Sequence, residues 1–284
     1  MSYQEYRPSS FQILPPVIKQ LLIINTLLLF AQYVLRNSFH IELSEQLGLH
    51  YFFASRFRPW QLISYMFMHG DLFHLFSNMF ALWMFGSTLE NYWGGKRFLI
   101  FYLVTGIGAA VTHYIIFYFQ IHPALEVINN YLSNPDLKTF ETFFHSSNLK
   151  IASYEIQGQV NDLVSNFNNM EATGDKAGML NASVEFMRNY KEELLNSNTV
   201  VGASGSIFGL LLAFGMLFPN TLLYVYFAIP IKAKYFVIAY GAIELFSGIQ
   251  NNPTDNVAHF AHLGGMLFGY FLIKYWGLNR TNFY

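Results

Sequence analysis

Val200-Val201-Gly202-Ala203-Ser204-Gly205-Ser206-Ile207-Phe208-Gly209-Leu210 opens an apolar run that reaches Phe218. A serine between small residues at the mouth of such a run stands where a helix begins. There the first backbone N–H groups lack intrahelical partners, and the helix dipole favours developing negative charge. Gly202 and Gly205 leave room for another backbone or a substrate to come close. A nucleophile at that point has oxyanion donors beside it. Taken alone, the stretch more often means an N-capping serine followed by a small-residue packing patch. The rest of the chain decides between the two.

Of 284 residues, 53% are hydrophobic, 19% aromatic and only 12% charged. The apolar residues lie in long runs, which is the pattern of a multi-span membrane protein. A net charge of −1 without a basic cluster gives nucleic-acid binding no support. With no cysteine there is no disulfide, no thiolate metal site and no cysteine nucleophile. Residues 1–12 are polar and lack a cleavable-signal pattern, so the first apolar run is expected to stay as an anchor.

Six spans are expected, at Ile18–Leu35, Trp60–Gly86, Phe98–Phe119, Val200–Phe218, Tyr235–Ile249 and Val257–Trp276. The second is interrupted by Met68-His69-Gly70-Asp71, too polar for lipid, so the span proper starts near Leu72. Residues 36–58 mix Arg36, Arg56 and Arg58 with aromatic rings, as a membrane–water interface requires. Thr221–Lys234 reads as an interfacial loop. Residues 121–198 break the pattern, with ten acidic and five basic residues and no run long enough to span. Val184, Met187, Tyr190 and Leu194 recur there at helical steps. The segment reads as a mainly helical extramembrane insertion of two to four helices, with a partly disordered loop as the alternative. Residues 1–120 and 199–284 would then form one domain around it.

Short-loop charges set the orientation. With the N-terminus cytoplasmic, Arg7, Lys19, Lys96, Arg97, Lys232, Lys234, Lys274 and Arg280 are cytoplasmic, against Arg36, Arg56 and Arg58 outside. Both termini are therefore expected in the cytoplasm, with Ser204 and His262 near the outer ends of their spans.

Polar residues embedded in a membrane are expensive and therefore presumptively functional. In the sixth span, seven residues bring Gly269 to within about 20° of His262, and Gly265 lies about 60° away. His262 thus stands on a glycine face, and Gly205-x-x-x-Gly209 gives the fourth span a matching one. Two such faces would bring His262 to Ser204 as the general base a weak nucleophile needs. The plainer meaning of His262 is a helix–helix hydrogen bond; His259, one turn earlier, reads as a loop or interface residue. No acid is well placed to orient His262: Asp255 lies in a loop, and Asp71 and Glu244 are in other segments. A Ser–His dyad is expected rather than a triad. Phe208, one turn after Ser204, could stack on the imidazole or simply pack.

The second span supplies His69, His74 and Asn78. His74 and Asn78, four apart, share a helix face. With the Ser204 N–H they could form an oxyanion hole. A metal site from His69, His74 and Asp71 is the weaker reading, because the spacing lacks the pattern of zinc enzymes. Structural hydrogen bonding remains a third reading for His69.

Assembled, these segments resemble the rhomboid family of intramembrane serine proteases. The matches are Gly202-Ala203-Ser204-Gly205, His69-x4-His74-x3-Asn78 and Ala261-His262-x-x-Gly265-x-x-x-Gly269, in the family's order and each in the expected span. The resemblance implies an all-α membrane protein, a six-transmembrane-helix rhomboid-like bundle carrying a mainly helical extramembrane insertion. It implies Ser204 as nucleophile and His262 as general base and acid. His74, Asn78 and the Ser204 N–H would be oxyanion donors, with His69 as a structural or water-binding partner and no cofactor or metal. Glu90-x-x-x-Gly94 resembles the family's turn after its second span. The implied partners are single-span membrane substrates and the lipid bilayer, with substrate access beside the fifth span and cleavage near the outer boundary. The implied location is a bacterial inner membrane. Arg58-Pro59-Trp60-Gln61 departs from the Trp-Arg pair common in the family's first loop, and the insertion is foreign to the compact bacterial members. A catalytically silent membrane-helix binder is the rival from another class, although such relatives usually lack the serine or histidine. A transporter would want an internal repeat and several mid-membrane ionisable residues, and only Glu244 qualifies.

Overall fold

The structure, a computed structural model, describes residues 11–146, 154–225, 228–250 and 257–277. Helix α1 is Pro16–Phe39. The first loop holds α2 (Leu43–Leu47), α3 (Gln61–Ser64) and a 3-10 turn at Tyr65–Phe67. Helix α4 (Leu72–Ala81), a wider π-helical turn (Leu82–Gly86) and α5 (Ser87–Trp93) run on without a break. Then come α6 (Gly95–Ser133), α7 (Leu137–Phe144), α8 (Tyr154–Thr173) and α9 (Lys176–Asn196). The chain closes with α10 (Ser204–Leu217), α11 (Ala233–Gln250) and α12 (His259–Tyr275).

Pro16–Phe39, Leu72–Trp93 and Gly95–Ser133 are long and apolar enough to cross a bilayer. Helices α10, α11 and α12, of 14, 18 and 17 residues, stand where the other three spans are expected. Thr221–Lys234, expected as a loop, instead contains a hairpin. Strand β1 (Leu222–Val225) pairs antiparallel with β2 (Ile229–Lys232), Leu222 opposite Lys232 and Val225 opposite Ile229. Its short aliphatic and aromatic runs favour that pairing.

Chain contacts form two units: residues 1–49, 59–113 and 200–284, and residues 50–58 and 114–199. In the first, α10 is buried almost all round, as a central helix must be. Its glycine face meets α12 directly: a Cβ on Gly265 would run into the Gly205 carbonyl, and one on Gly269 would lie 3.3 Å from the Gly209 carbonyl oxygen. The outward faces carry large exposed apolar residues, among them Leu27 and Phe30 on α1 and Ile243 and Phe246 on α11. Glu90 accepts the Val17 and Ile18 N–H groups at 2.9 Å each and so satisfies two orphan donors at the start of α1. Gly94, just after α5, has φ 79°, a conformation that favours glycine.

In the second unit, four stripes at alternating three- and four-residue steps meet. They are Phe117, Ile121, Ala124, Ile128 and Tyr131 on α6; Phe140 and Phe143 on α7; Ile156, Val160, Leu163 and Phe167 on α8; and Met187, Tyr190 and Leu194 on α9. The stripe on α6 explains why that helix passes the expected span end at Phe119 and carries Pro123 inside it. A proline there removes one backbone bond, and burial of residues on both sides of it holds the helix together.

Candidate active site

Three backbone contacts set the approach to Ser204. Leu49 and Val200 exchange N–H···O bonds of 2.9 and 3.0 Å, and the Gly202 N–H donates to the Tyr65 carbonyl at 3.0 Å. Gly202 has φ 128°, which excludes most other residues. Ala203 is the N-cap and Ser204 the first residue of α10. The Ser204 N–H therefore belongs to the turn whose donors have no intrahelical acceptor.

Ser204 Oγ lies 2.7 Å from His262 Nε2. The two helices bring them together through the Gly205–Gly265 and Gly209–Gly269 contacts already described. Phe208 stacks on the imidazole, with ring centroids 4.2 Å apart and planes 8° apart. Ring stacking fixes the plane of the imidazole and so keeps Nε2 facing the serine.

His74 and Asn78 share a face of α4 beside Gly202. A Cβ on Gly202 would come within 2.8 Å of His74 Nε2 and 3.6 Å of Asn78 Nδ2. The Gly70 N–H makes a long 3.5 Å contact to His74 Nδ1, an arrangement that favours the tautomer with its proton on Nε2, the nitrogen facing Gly202. Asn78 Nδ2 is buried with no hydrogen-bond partner among the described residues. His74 Nε2 and Asn78 Nδ2 thus both lie beside Gly202, two residues before Ser204. Asp71 is the N-cap of α4, its Oδ1 accepting the His74 N–H at 2.8 Å. His69 is buried and meets the His74 ring edge-on at 5.1 Å.

One expectation is corrected. From sequence His262 has no orienting acid, which was the ground for a dyad. In the structure Glu244 Oε2 lies 2.8 Å from His262 Nδ1 and 2.7 Å from His259 Nδ1. Asp255, the nearest acid in sequence, lies outside the described residues. Glu244 sits on α11, where Gly241 and Gly248 allow close approach to α12; a Cβ on Gly248 would lie 3.0 Å from the Phe260 ring. The sequence signal was an acid inside an apolar span. Its partner, however, is 18 residues away across a loop, a register that residue spacing does not give. Among the described residues, Glu244, His259 and His262 also form the group able to offer a metal ion three ligand atoms, all within 4.8 Å of one another. That trio is not the His69, His74 and Asp71 set weighed from sequence.

A half-buried serine against a buried histidine at a helix N-terminus, inside a bundle of apolar helices, defines a class of membrane protein. The chain matches the rhomboid-domain family model over residues 56–120 and 176–278. It belongs to the rhomboid family and is an integral membrane protein. RHOMBOID-like protein 6, mitochondrial, of Arabidopsis thaliana is 38% identical over 52 residues, covering 18% of this chain and 17% of that protein. Rhomboid protease GluP of Bacillus subtilis (strain 168) is 34% identical over 56 residues, covering 20% of this chain and 11% of that protein. RHOMBOID-like protein 2 of Arabidopsis thaliana is 36% identical over 52 residues, covering 18% and 16%. The matched stretch is thus less than a fifth of each of these curated relatives.

Proposed function

We propose that this protein is an intramembrane serine endopeptidase that cleaves single-span membrane proteins near the outer membrane boundary, with Ser204 as nucleophile and His262 as general base and acid. The 2.7 Å contact between Ser204 Oγ and His262 Nε2 carries the proposal. His262 takes the Ser204 proton as Oγ attacks the scissile carbonyl. The oxyanion that forms is held by the Ser204 N–H, His74 and Asn78. As the C–N bond breaks, His262 returns the proton to the leaving amine. Water, deprotonated by the same imidazole, then releases the acyl group and restores the serine.

Cleavage close to the boundary is supported by the length of α10. Its 14 residues span about 21 Å, against a hydrocarbon core of about 30 Å. A serine at the first residue of so short a central helix supports a cleavage position near one face of the hydrocarbon core. The N-in, C-in arrangement and a bacterial inner membrane belong to the same proposal and rest on the short-loop charges and on the resemblance.

A fluorescent fluorophosphonate applied to the detergent-purified protein tests the chemistry. The expected result is labelling of the wild type that Ser204→Ala abolishes and His262→Ala reduces by 10²-fold or more (roughly, from triad variants of soluble enzymes). Unlabelled, folded wild-type protein would overturn the proposal and favour a membrane-helix binding role.

A further inference from the structure

We propose that Glu244 is a positioning residue for His262, so that the reactive group is a Ser204–His262–Glu244 relay in which His259 holds the carboxylate in place. This rests on the serine-protease reading above and deepens it.

The argument begins with hydrogen-bond inventory. A carboxylate only accepts, so an imidazole nitrogen 2.8 Å from it carries the proton. With Nδ1 protonated, the neutral His262 ring leaves its lone pair on Nε2, which faces Ser204 Oγ at 2.7 Å. That is the tautomer a general base needs. The stack on Phe208 fixes the ring plane, but it does not distinguish one nitrogen from the other. Glu244 does.

Burial explains the second histidine. Glu244 is 7% exposed, on a helix whose neighbouring Ile243, Leu245 and Phe246 face outward. A carboxylate taken out of water is costly unless it is paired and hydrogen-bonded. His259 and His262 are three residues apart on α12, hence on one face, and both present Nδ1 to the same oxygen. The pair of donors keeps the carboxylate facing inward. When His262 becomes an imidazolium during acyl transfer, a fixed negative charge already stands beside it. A structural hydrogen bond between α11 and α12 would need neither the charge nor the alignment with Ser204.

The test uses the fluorophosphonate probe on the full chain, with Glu244→Gln beside the wild type, Ser204→Ala and His262→Ala. Glutamine preserves shape and an acceptor oxygen but lacks charge, and its amide can donate to the wrong tautomer. The expected result is a fall of roughly 10²–10⁴-fold in the maximal labelling rate, with the half-saturating probe concentration unchanged. Labelling of folded Glu244→Gln at the wild-type rate would overturn the inference. A second measurement needs no variant at Glu244. In nitrogen-15 spectra of histidine-labelled wild type, with the signal assigned by its loss in His262→Ala, His262 is expected as the Nδ1–H tautomer. An Nε2–H tautomer would overturn the inference, and this spectrum decides if Glu244→Gln fails to fold. Failure of the wild type to label at all would instead strike the protease reading, leaving the tautomer to be settled separately.

Discussion

In the membrane unit, Gly205, Gly209, Gly265 and Gly269 let α10 and α12 meet backbone against backbone; in the insertion, Phe140, Phe143, Phe186 and Tyr190 fill the space between helices with rings. The difference follows from the solvent. Lipid is as apolar as leucine, so helices in a bilayer gain little from burying large side chains and associate where small residues allow close contact. In water the same burial is the main driving force, and aromatic side chains supply the most area per residue. Both units bury large rings, Phe98, Phe101 and Tyr102 in the first and Tyr131 and Tyr190 in the second, but the first also carries many of them on its outward faces, as at Phe30 and Phe246. Close backbone approach also has a consequence for chemistry. It brings His262 to Ser204 without long side chains, so the position of the pair is set by two helix backbones.

The largest expected effect breaks that approach. Gly265→Leu would drive a side chain into the Gly205 carbonyl, and neither backbone can move aside without separating α10 from α12. Overpacking usually costs about 1–3 kcal/mol, occasionally more, and a backbone-on-backbone clash belongs at or above the top of that range. Thermal unfolding in detergent should fall sharply, and fluorophosphonate labelling should be lost because Ser204 and His262 separate. Wild-type labelling in this variant would show that the glycine contact does not position the pair.

The opposite substitution probes the insertion. Phe140 is 3% exposed and meets the rings of Tyr131, Phe144, Phe167 and Phe186 at centroid distances of 5.7 to 6.0 Å. Phe140→Ala should leave a cavity and destabilise this unit by about 3–5 kcal/mol. Faster amide hydrogen exchange across α7 and α9 is the expected readout. Exchange rates unchanged from the wild type would mean that the ring cluster is not the core of this unit.

The legibility of each region in the sequence follows the same division. Glycine spacing is periodic and local, so the faces of the fourth and sixth spans could be read directly, and with them the meeting of Ser204 and His262. Glu244 was visible as an acid in an apolar run, but its partnership with His262 depends on how two helices align across residues 251–256. Nothing in residue spacing fixes that alignment. The insertion was legible at Met187, Tyr190 and Leu194, whose three- and four-residue steps stand out in polar surroundings. Its beginning falls by composition at residue 121, where the chain turns polar. The second unit instead takes in α6 from Tyr114, because the buried stripe from Phe117 to Tyr131 runs straight through that change and through Pro123. The hairpin at Leu222–Lys232 was missed because runs of four residues are too short to separate strand from loop.

The smallest expected effect distinguishes the two solvents by titration. Asp136, fully exposed ahead of α7, accepts the Thr139 N–H at 2.9 Å and the Thr139 hydroxyl at 3.0 Å. These bonds, the backbone one foremost, hold its carboxyl below the usual aspartate range. A depressed folded-state pKa means that the stabilisation is fully present above the unfolded value, about 3.9, and is lost as pH falls through the lower folded value. Asp136→Asn keeps an N-cap acceptor but cannot titrate. The protection of α7 amides in the wild type over that in Asp136→Asn should thus be constant from neutral pH down to about 5 and shrink below about 4. A difference that persists unchanged at pH 3 would mean that the cap works through hydrogen-bond shape alone. A shrinking difference would show a water-exposed helix start tuned by charge, in contrast to the start of α10, which has no side-chain cap among the described residues.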